Sequence, residues 1–374
     1  MVPRDADGSS GSHASRLRSA FARAAKAERI DSFLVTKPQD VTYLSGFTGE
    51  DSFLLAHRGG GVLITDGRFD EQAHAECPGV EILMRTGPMS VAVKEVAGRL
   101  RLRRLGVQGG HMTLQLRDSL QRSGAFGAIL PLADVVGELR IVKDQAEIAV
   151  IRKAVVAAEK AFGELLALGR KGWVGRSERD LAAQLEYRMR LAGAQGASFD
   201  TIVAVGPHAS MPHYSPGETR VESDCLVLID WGAKVGGYCS DLTRTVRVGR
   251  IPPRLAEIHG VVERAQAAGI RAIRAGIAAG SADRAARDVI EAAGYGKQYA
   301  HGLGHGIGLE IHEAPALGRK AKARLRPGMV VTVEPGIYLP ALGGVRIEDD
   351  VVVTPDGCRR LSSLPRDMES MTLR

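Results

Sequence analysis

The stretch from Cys225 to Val248 constrains the fold more than any other part of this chain. An apolar run, Cys225-Leu-Val-Leu-Ile229, ends on Asp230. A second β-type run spans Tyr238 to Val248 and contains Asp241, and Lys234-Val-Gly-Gly237 between the two carries the glycines of a hairpin turn. A hairpin centred on the Val235–Gly236 bond puts Asp230 directly opposite Asp241, on one face, with Cβ atoms about 5 Å apart. Like charges so placed beside an apolar strand destabilise a sheet, and a bound cation would remove the repulsion.

A second hairpin repeats the device. Val330-Val-Thr-Val-Glu334-Pro leads through Pro340-Ala-Leu-Gly-Gly344 to Val345-Arg-Ile-Glu348-Asp-Asp. Centred on Ala341, it pairs Glu334 with Glu348. Between the hairpins lies His301-Gly-Leu-Gly-His305-Gly-Ile-Gly-Leu-Glu-Ile-His312-Glu313. His301 and His305 have the spacing of a helical zinc motif, but Gly302, Gly304, Gly306 and Gly308 argue for a loop or strand whose backbone approaches something closely. Four carboxylates and an imidazole favour a borderline-hard metal pair over a thiolate site. Bridging carboxylates can hold two divalent ions about 3.5–4 Å apart, with a shared hydroxide ready to attack a carbonyl.

The rest of the sequence sets bounds. A length of 374 residues is long for one core, so two domains are expected. Lys and Arg exceed Asp and Glu by 50 to 43, and the arginines (Arg16, Arg18, Arg23; Arg264, Arg271, Arg274) are scattered through helical patterns, which argues against a nucleic-acid surface. The 4 cysteines, Cys77, Cys225, Cys239 and Cys358, have no C-x-x-C spacing and suit a reducing cytoplasm. No apolar run approaches the ~18 residues of a membrane span, so no membrane association is expected. The polar, Gly/Ser-rich stretch 1–13 lacks a signal peptide's apolar centre and is expected to be a disordered leader.

Strands and helices alternate from residue 14 to about 135: Ser32–Val35, Phe53–Leu55, Gly61–Thr65, Val80–Met84 and Leu105–Val107 as strands, with helices at Ala14–Glu28, Phe69–Glu76, Val91–Leu100 and Leu114–Ser123. This is an α/β domain. A long helix, Val142–Leu168, is expected to bridge to a second domain, residues 140–374. There another helix (Ser177–Ala192) precedes strand-rich segments at Thr201–Val205, Cys225–Asp230, Tyr238–Val248, Val330–Val333 and Val345–Thr354, with helices at Pro253–Ala275 and Ala282–Ala293. Antiparallel hairpins with separate helices make an α+β domain.

At these residues the chain closely resembles the pita-bread metallopeptidases. The succession Asp-x(10)-Asp, Gly-His-Gly-Ile-Gly, Val-Glu-Pro-Gly and Arg-Ile-Glu-Asp is specific to that family. The segments Asp31-Ser-Phe-Leu-Val-Thr-Lys-Pro, Tyr43-Leu-Ser-Gly-Phe-Thr-Gly and Leu63-Ile-Thr-Asp-Gly-Arg-Phe resemble the N-terminal domain of creatinase, prolidase and Xaa-Pro aminopeptidases. The resemblance implies two divalent ions, Mn²⁺ first, with Co²⁺, Zn²⁺ or Fe²⁺ as alternatives. Asp230 would bind one, Asp241 and Glu348 would bridge, and His305 and Glu334 would bind the other. Glu334 would also handle the proton of the attacking water. His213, in Met211-Pro-His-Tyr-Ser, matches a histidine near the scissile nitrogen, while His301 and His312 match pocket-lining histidines. Arg346 would order the carboxylates.

The implied activity is hydrolysis of the Xaa-Pro bond at peptide N-termini by a homodimer, an Xaa-Pro aminopeptidase, with Xaa-Pro dipeptidase (prolidase) as the alternative. A metal-free creatinase-type hydrolase and a non-catalytic peptide-binding module share the fold but lack this ligand set, and methionine aminopeptidases are usually a single catalytic domain.

Overall fold

The computed structural model describes residues 12–373, and the chain divides into two compact units between Arg140 and Ile141. Residues 1–11 of the expected leader lie outside the described residues. Its last two residues belong to the fold: the Ser12 side chain accepts from the Ser15 N–H and caps a helix that begins at His13.

In the first unit, helices α1 (His13–Ala27), α2 (Pro38–Ser45), α3 (Asp70–Glu76), α4 (Met89–Leu100), α5 (Leu114–Arg122) and α6 (Val135–Arg140) accompany one mixed sheet. Its strands are β1 (Ser32–Val35), β2 (Phe53–His57), β3 (Gly60–Asp66), β4 (Glu81–Arg85), β5 (Arg104–Gln108) and β6 (Ala128–Leu132), in the order β4-β3-β2-β1-β5-β6. The β1–β2 and β2–β3 pairs are antiparallel and the outer pairs parallel. Leu34, Leu55, Val62, Ile64, Leu105 and Val107 pack with Val93, Val96 and Leu120 in its core. Sequence periodicity misses α2 and β6. α2 is short, with Pro38 opening it and Gly46 closing it at φ +85°, and β6 has only one buried residue among its five.

The second unit opens with α7 (Gln145–Leu166), which starts at a capping box between Asp144 and Glu147. This long helix lies wholly inside the second unit and does not span the boundary between the two. α8 (Gly169–Trp173) and α9 (Glu178–Leu191) follow, then β7 (Gly196–Ala197), β8 (Ile202–Val205), β9 (Cys225–Trp231), β10 (Ala233–Val235), β11 (Tyr238–Cys239) and β12 (Leu242–Val248). After α10 (Pro253–Ala272) and α11 (Ala279–Ala292) come β13 (Gly304–Gly306), β14 (Glu313–Leu317), β15 (Val330–Val333), β16 (Gly336–Leu339), β17 (Gly343–Arg346), β18 (Asp349–Val353), β19 (Cys358–Arg360) and β20 (Thr372–Leu373). The sheets that position the acids run β20-β12-β9-β8 and β14-β13-β15-β18-β19, with β16–β17 and β11-β10-β7 as smaller extensions. One core gathers α10 and α11 against β15, β17 and β18. The other packs α7 and α9 against β8, β9 and β12.

The first hairpin differs from expectation in register. β9 and β12 pair Asp230 with Thr243, and β10 and β11 pair Val235 with Tyr238, so the turn residues are Gly236 and Gly237. Their φ values are +55° and +82°. A two-residue hairpin turn of this kind needs positive φ at both central residues, which two glycines supply and Val235 would not. Moving the centre by one residue moves every partner by two. Asp241 therefore lies diagonally from Asp230 instead of directly opposite, but on the same face. The second hairpin has the expected register. β16–β17 pairs Gly336 with Arg346, β15–β18 pairs Val333 with Asp349, and Ala341 sits at the apex with φ +64°.

Candidate metal centre

The expected strands Tyr238–Val248 and Val345–Thr354 are broken at Asp241 and Glu348, β15 stops just before Glu334, and β9 carries Asp230 and ends at Trp231. Gly232 permits the first break: a Cβ there would lie 1.9 Å from the Ser240 carbonyl oxygen. At the breaks, backbone N–H groups leave their own hairpins. Asp241 donates to Asp350 Oδ2 (3.0 Å), Glu348 to the Thr243 carbonyl (3.1 Å), and Glu334 to the Leu303 carbonyl (2.8 Å). The interruptions therefore knit the two hairpins and the histidine segment together, with every one of these buried donors satisfied.

The acids converge. One oxygen each from Asp230, Asp241 and Glu348 lies within 4.8 Å of the other two. His305 Nε2 lies 3.6 Å from Asp241 Oδ2 and 3.3 Å from Glu334 Oε1, which brings the remaining two expected ligands to the same place. His305 is on β13, a strand and not a helix, as its flanking glycines require. A Cβ at Gly304 would lie 2.2 Å from the Thr332 carbonyl, and one at Gly306 2.2 Å from the Ala314 carbonyl.

The electrostatics are those of a site built for cations. Burial, then the charges of Glu348 and Asp230, push the Asp241 carboxyl well above the usual range. Burial, then Glu334 and Asp230, do the same to Glu348. Asp230 is raised by burial, against the pull of Arg346. Glu334 is lowered despite its burial, because it bonds to His305, and His305 is correspondingly raised against its own burial. Asp230 Oδ1, Glu348 Oε1 and Asp350 Oδ1 are buried with no hydrogen-bond partner. Bare buried carboxylate oxygens are costly unless a positive charge meets them. His305 Nδ1 donates to the Gly306 carbonyl at 3.0 Å, so Nε2 is the nitrogen turned toward the acids, where a cation would take the place of its proton. The donor set thus fits hard or borderline divalent cations.

Residues outside the ligand set fix it. The Arg346 guanidinium bonds to Asp230 Oδ2, Thr243 Oγ1 (3.1 Å) and Tyr338 OH (2.9 Å). Thr243 Oγ1 donates in turn to Glu348 Oε2 at 2.6 Å. Thr332 Oγ1 accepts from the His305 N–H (3.0 Å) and donates to Glu334 Oε1 (3.1 Å). Fully buried Arg244 donates to the carbonyls of Thr243 (2.9 Å), Glu348 (2.6 Å), Leu364 (3.0 Å) and Pro365 (2.7 Å), and pairs with Asp349. Burial pushes the Asp350 carboxyl up to about 8.

Of these, sequence reasoning found only Arg346. Thr243, Thr332 and Tyr338 were legible by alternation: they lie two residues from Asp241, Glu334 and Gly336, on the same faces. Gly344, opposite Tyr338, was a further signal, since a Cβ there would meet the Ala209 carbonyl at 2.1 Å.

The other histidines divide. His301 Nδ1 faces the Gly302 carbonyl (2.8 Å), so its Nε2 accepts from Tyr338 OH (2.9 Å), and burial lowers its pKa. The His312 ring lies edge-on to His305, with centroids 4.4 Å apart. His213 is exposed in a turn and bonds to none of the ligands, but it lies near enough to His312 for its charge to lower that residue's pKa, after burial and the charge of His305.

A nest of buried carboxylates with one presented imidazole, held by two interlocked hairpins, defines a metal-dependent hydrolase. Residues 149–355 match the metallopeptidase family M24, residues 16–142 match the creatinase/prolidase N-terminal domain, and the chain belongs to family M24. It has the pita-bread catalytic fold behind a creatinase-type α/β domain. It is 36% identical over 346 residues to the Xaa-Pro dipeptidase of Pyrococcus furiosus, covering 91% of this chain and 95% of that one. The solved Xaa-Pro dipeptidase from Bacillus anthracis superposes with TM-score 0.90 at 38% identity, over 96% of this chain and 99% of that one. The crystal structure of an X-Pro aminopeptidase from Thermotoga maritima MSB8 superposes with TM-score 0.86 at 36% identity, over 92% and 99%. Among the described residues no helix is long and apolar enough to cross a membrane, and all four cysteines are free.

Proposed function

We propose that this chain is a two-metal Xaa-Pro dipeptidase acting in the cytoplasm as a homodimer. The observation that carries the reading is the five-residue carboxylate–imidazole centre. It sits in a chain that matches enzymes named Xaa-Pro dipeptidase over nine-tenths of its length. Those names favour the dipeptidase reading over the aminopeptidase expected first. The likeness to the Thermotoga maritima aminopeptidase keeps longer Xaa-Pro peptides as the second reading. The intact ligand set argues against a metal-free creatinase-type hydrolase and against a binding module.

In this reading Asp230, Asp241, His305, Glu334 and Glu348 would hold the two ions. Mn²⁺ is the first choice, given the oxygen-rich set. When bound, the ions would polarise the scissile carbonyl and acidify the attacking water. Glu334, held by Thr332, accepts that water's proton. Arg346 keeps Asp230 ionised and aimed. The nitrogen of an Xaa-Pro bond has no hydrogen and becomes basic only as the tetrahedral intermediate forms. His213 supplies or relays the proton that lets it leave, a contribution of ~10²–10⁴ in rate. His301 and His312 line the pocket.

The test is a peptide panel, Xaa-Pro against Xaa-Pro-Yaa-Zaa, on stripped enzyme reloaded with Mn²⁺, Co²⁺, Zn²⁺ or Fe²⁺. Preference for the dipeptide supports the proposal. Faster cleavage of the tetrapeptide establishes the aminopeptidase, and no cleavage of either with any metal overturns both.

A further inference from the structure

His213 lies in a stretch with little regular structure. After β8 ends at Val205, the chain makes a short 3₁₀ turn, Gly206–Ser210, and runs on to Cys225 without a further strand or helix. Such a stretch needs some other means to hold a catalytic imidazole in place.

Glu178 provides it. It is the first residue of α9 and is 0% exposed. Its carboxylate accepts four hydrogen bonds, all from this one stretch. Oε1 takes the Val205 N–H (2.8 Å) and bonds to His208 Nδ1 (2.9 Å). Oε2 takes the Tyr214 hydroxyl (2.8 Å) and the Gly217 N–H (3.0 Å). The binding is reciprocal: the N–H groups of Glu178 and Arg179, unpaired within their own helix at its first turn, donate to the carbonyls of Thr219 (3.0 Å) and Gly217 (3.1 Å). The His208 and Tyr214 rings stack, with centroids 4.5 Å apart, and close the loop on itself. On its other side the loop packs on the β16–β17 hairpin, whose Gly343 and Gly344 leave room for the carbonyls of Gly206 and Ala209.

One buried carboxylate thus gathers donors from both sides of His213, including its immediate neighbour Tyr214. Its four partners leave both oxygens acting as acceptors, so the loop is built around a group that only accepts. No proposed metal ligand is among its partners.

We propose that Glu178 is a positioning residue for catalysis: it fixes the Val205–Gly217 loop so that His213 faces the scissile nitrogen. This rests on the role given to His213 above. Glu178→Gln is nearly isosteric but turns an acceptor into a donor against two of the four loop donors. The loop shifts, and a displacement near 1 Å at a proton-transfer group costs up to ~10²-fold in rate.

The experiment is a double-mutant cycle on the full-length, Mn²⁺-loaded enzyme with an Xaa-Pro dipeptide, reading kcat, KM and metal content. The expected result for Glu178→Gln is unchanged metal content and kcat lowered ~10–100-fold, with KM moving far less. Tyr214→Phe, which removes a single donor, moves the same way by a smaller factor. The Glu178→Gln/His213→Ala double variant is then no slower than His213→Ala alone, because there is no longer an imidazole to misplace. A Glu178→Gln enzyme with parental kcat, or losses that multiply in the double variant, overturns the proposal and leaves the role of His213 standing. Parental turnover in His213→Ala overturns both. If Glu178→Gln does not fold, the cycle of Tyr214→Phe with His213→Ala decides by the same criteria.

Discussion

Replacing Thr243 by valine removes two polar contacts at the proposed metal centre while leaving the side chain's shape almost unchanged. Thr243 is fully buried; its Oγ1 donates to Glu348 Oε2 at 2.6 Å and accepts from Arg346 Nε at 3.1 Å. Arg346 is charged, Glu348 must be ionised to bind a cation, and a hydrogen bond to a charged group contributes about 1.5–3 kcal/mol. Loss of the first contact releases a carboxylate proposed to hold the ions. Loss of the second leaves a guanidinium N–H buried and unpaired beside Asp230. Not all of this reaches the metal, since Glu348 can relax once freed. The expected outcome is a fall of roughly 10–100-fold in metal affinity, the range for losing a partner that orients a ligand. The assay is calorimetric titration of Mn²⁺ into stripped protein against a competing chelator. Thr245→Val is the control. Thr245 is two residues along on the same buried face, but it donates to the neutral carbonyl of Arg346 at 3.1 Å. That variant is expected to lose about 1 kcal/mol of stability and to bind metal as the parent does. Parental affinity in Thr243→Val, or equal losses in both variants, would refute the claim that this hydroxyl orients the ligand.

Two further outcomes follow from the buried charges. Asp241 and Glu348 are raised by burial and by neighbouring acids, so in stripped protein the folded state keeps protons that the unfolded chain releases. Their contribution is present at acid pH and is lost as pH rises through the folded values. The gap in melting temperature between Mn²⁺-loaded and stripped protein should therefore widen as pH rises, and a constant gap counts against the carboxylate cluster as the metal site. His259 is lowered from 6.5 to about 4 by burial, with Arg244 adding to the effect and Asp367 opposing it, and its Nε2 has no partner. It stays neutral in the folded state while the unfolded chain protonates it. Roughly 3 kcal/mol of stability is thus lost as pH falls from 6.5 to 4. Urea melts of His259→Leu across that interval should show a flatter pH dependence than the parent, and an unchanged slope would sink the assignment.

The hydrophobic patterns were enough to read both fold classes and most strands, because buried runs such as Cys225–Ile229 leave the chain little choice. Pairing arithmetic carried the second hairpin correctly because its apex, Ala341, is flanked by equal arms. It misplaced the first because turn chemistry, not symmetry of pattern, sets the register. The error was even in number, so Asp241 stayed on the right face. Sequence could not show that the strands break at Asp241 and Glu348. Those breaks are caused by backbone bonds between segments about a hundred residues apart, such as Asp241 to Asp350 and Glu348 to Thr243. The Glu178 hub was invisible for the same reason: a lone glutamate at a helix start reads as a charge near the positive end of a helix dipole.

Arg244 ties the proposed ligands to a distant part of the chain. All five proposed ligands lie between Asp230 and Glu348, but two carbonyls that hold the Arg244 guanidinium belong to Leu364 and Pro365, and the edge of β12 is covered by β20 at Thr372–Leu373. The site thus depends on a stretch that supplies none of its ligands. Removing Leu364 to Leu373 would leave every proposed ligand in the chain, yet it would take two acceptors from the Arg244 guanidinium, and with them part of the hold on the Thr243 and Glu348 carbonyls.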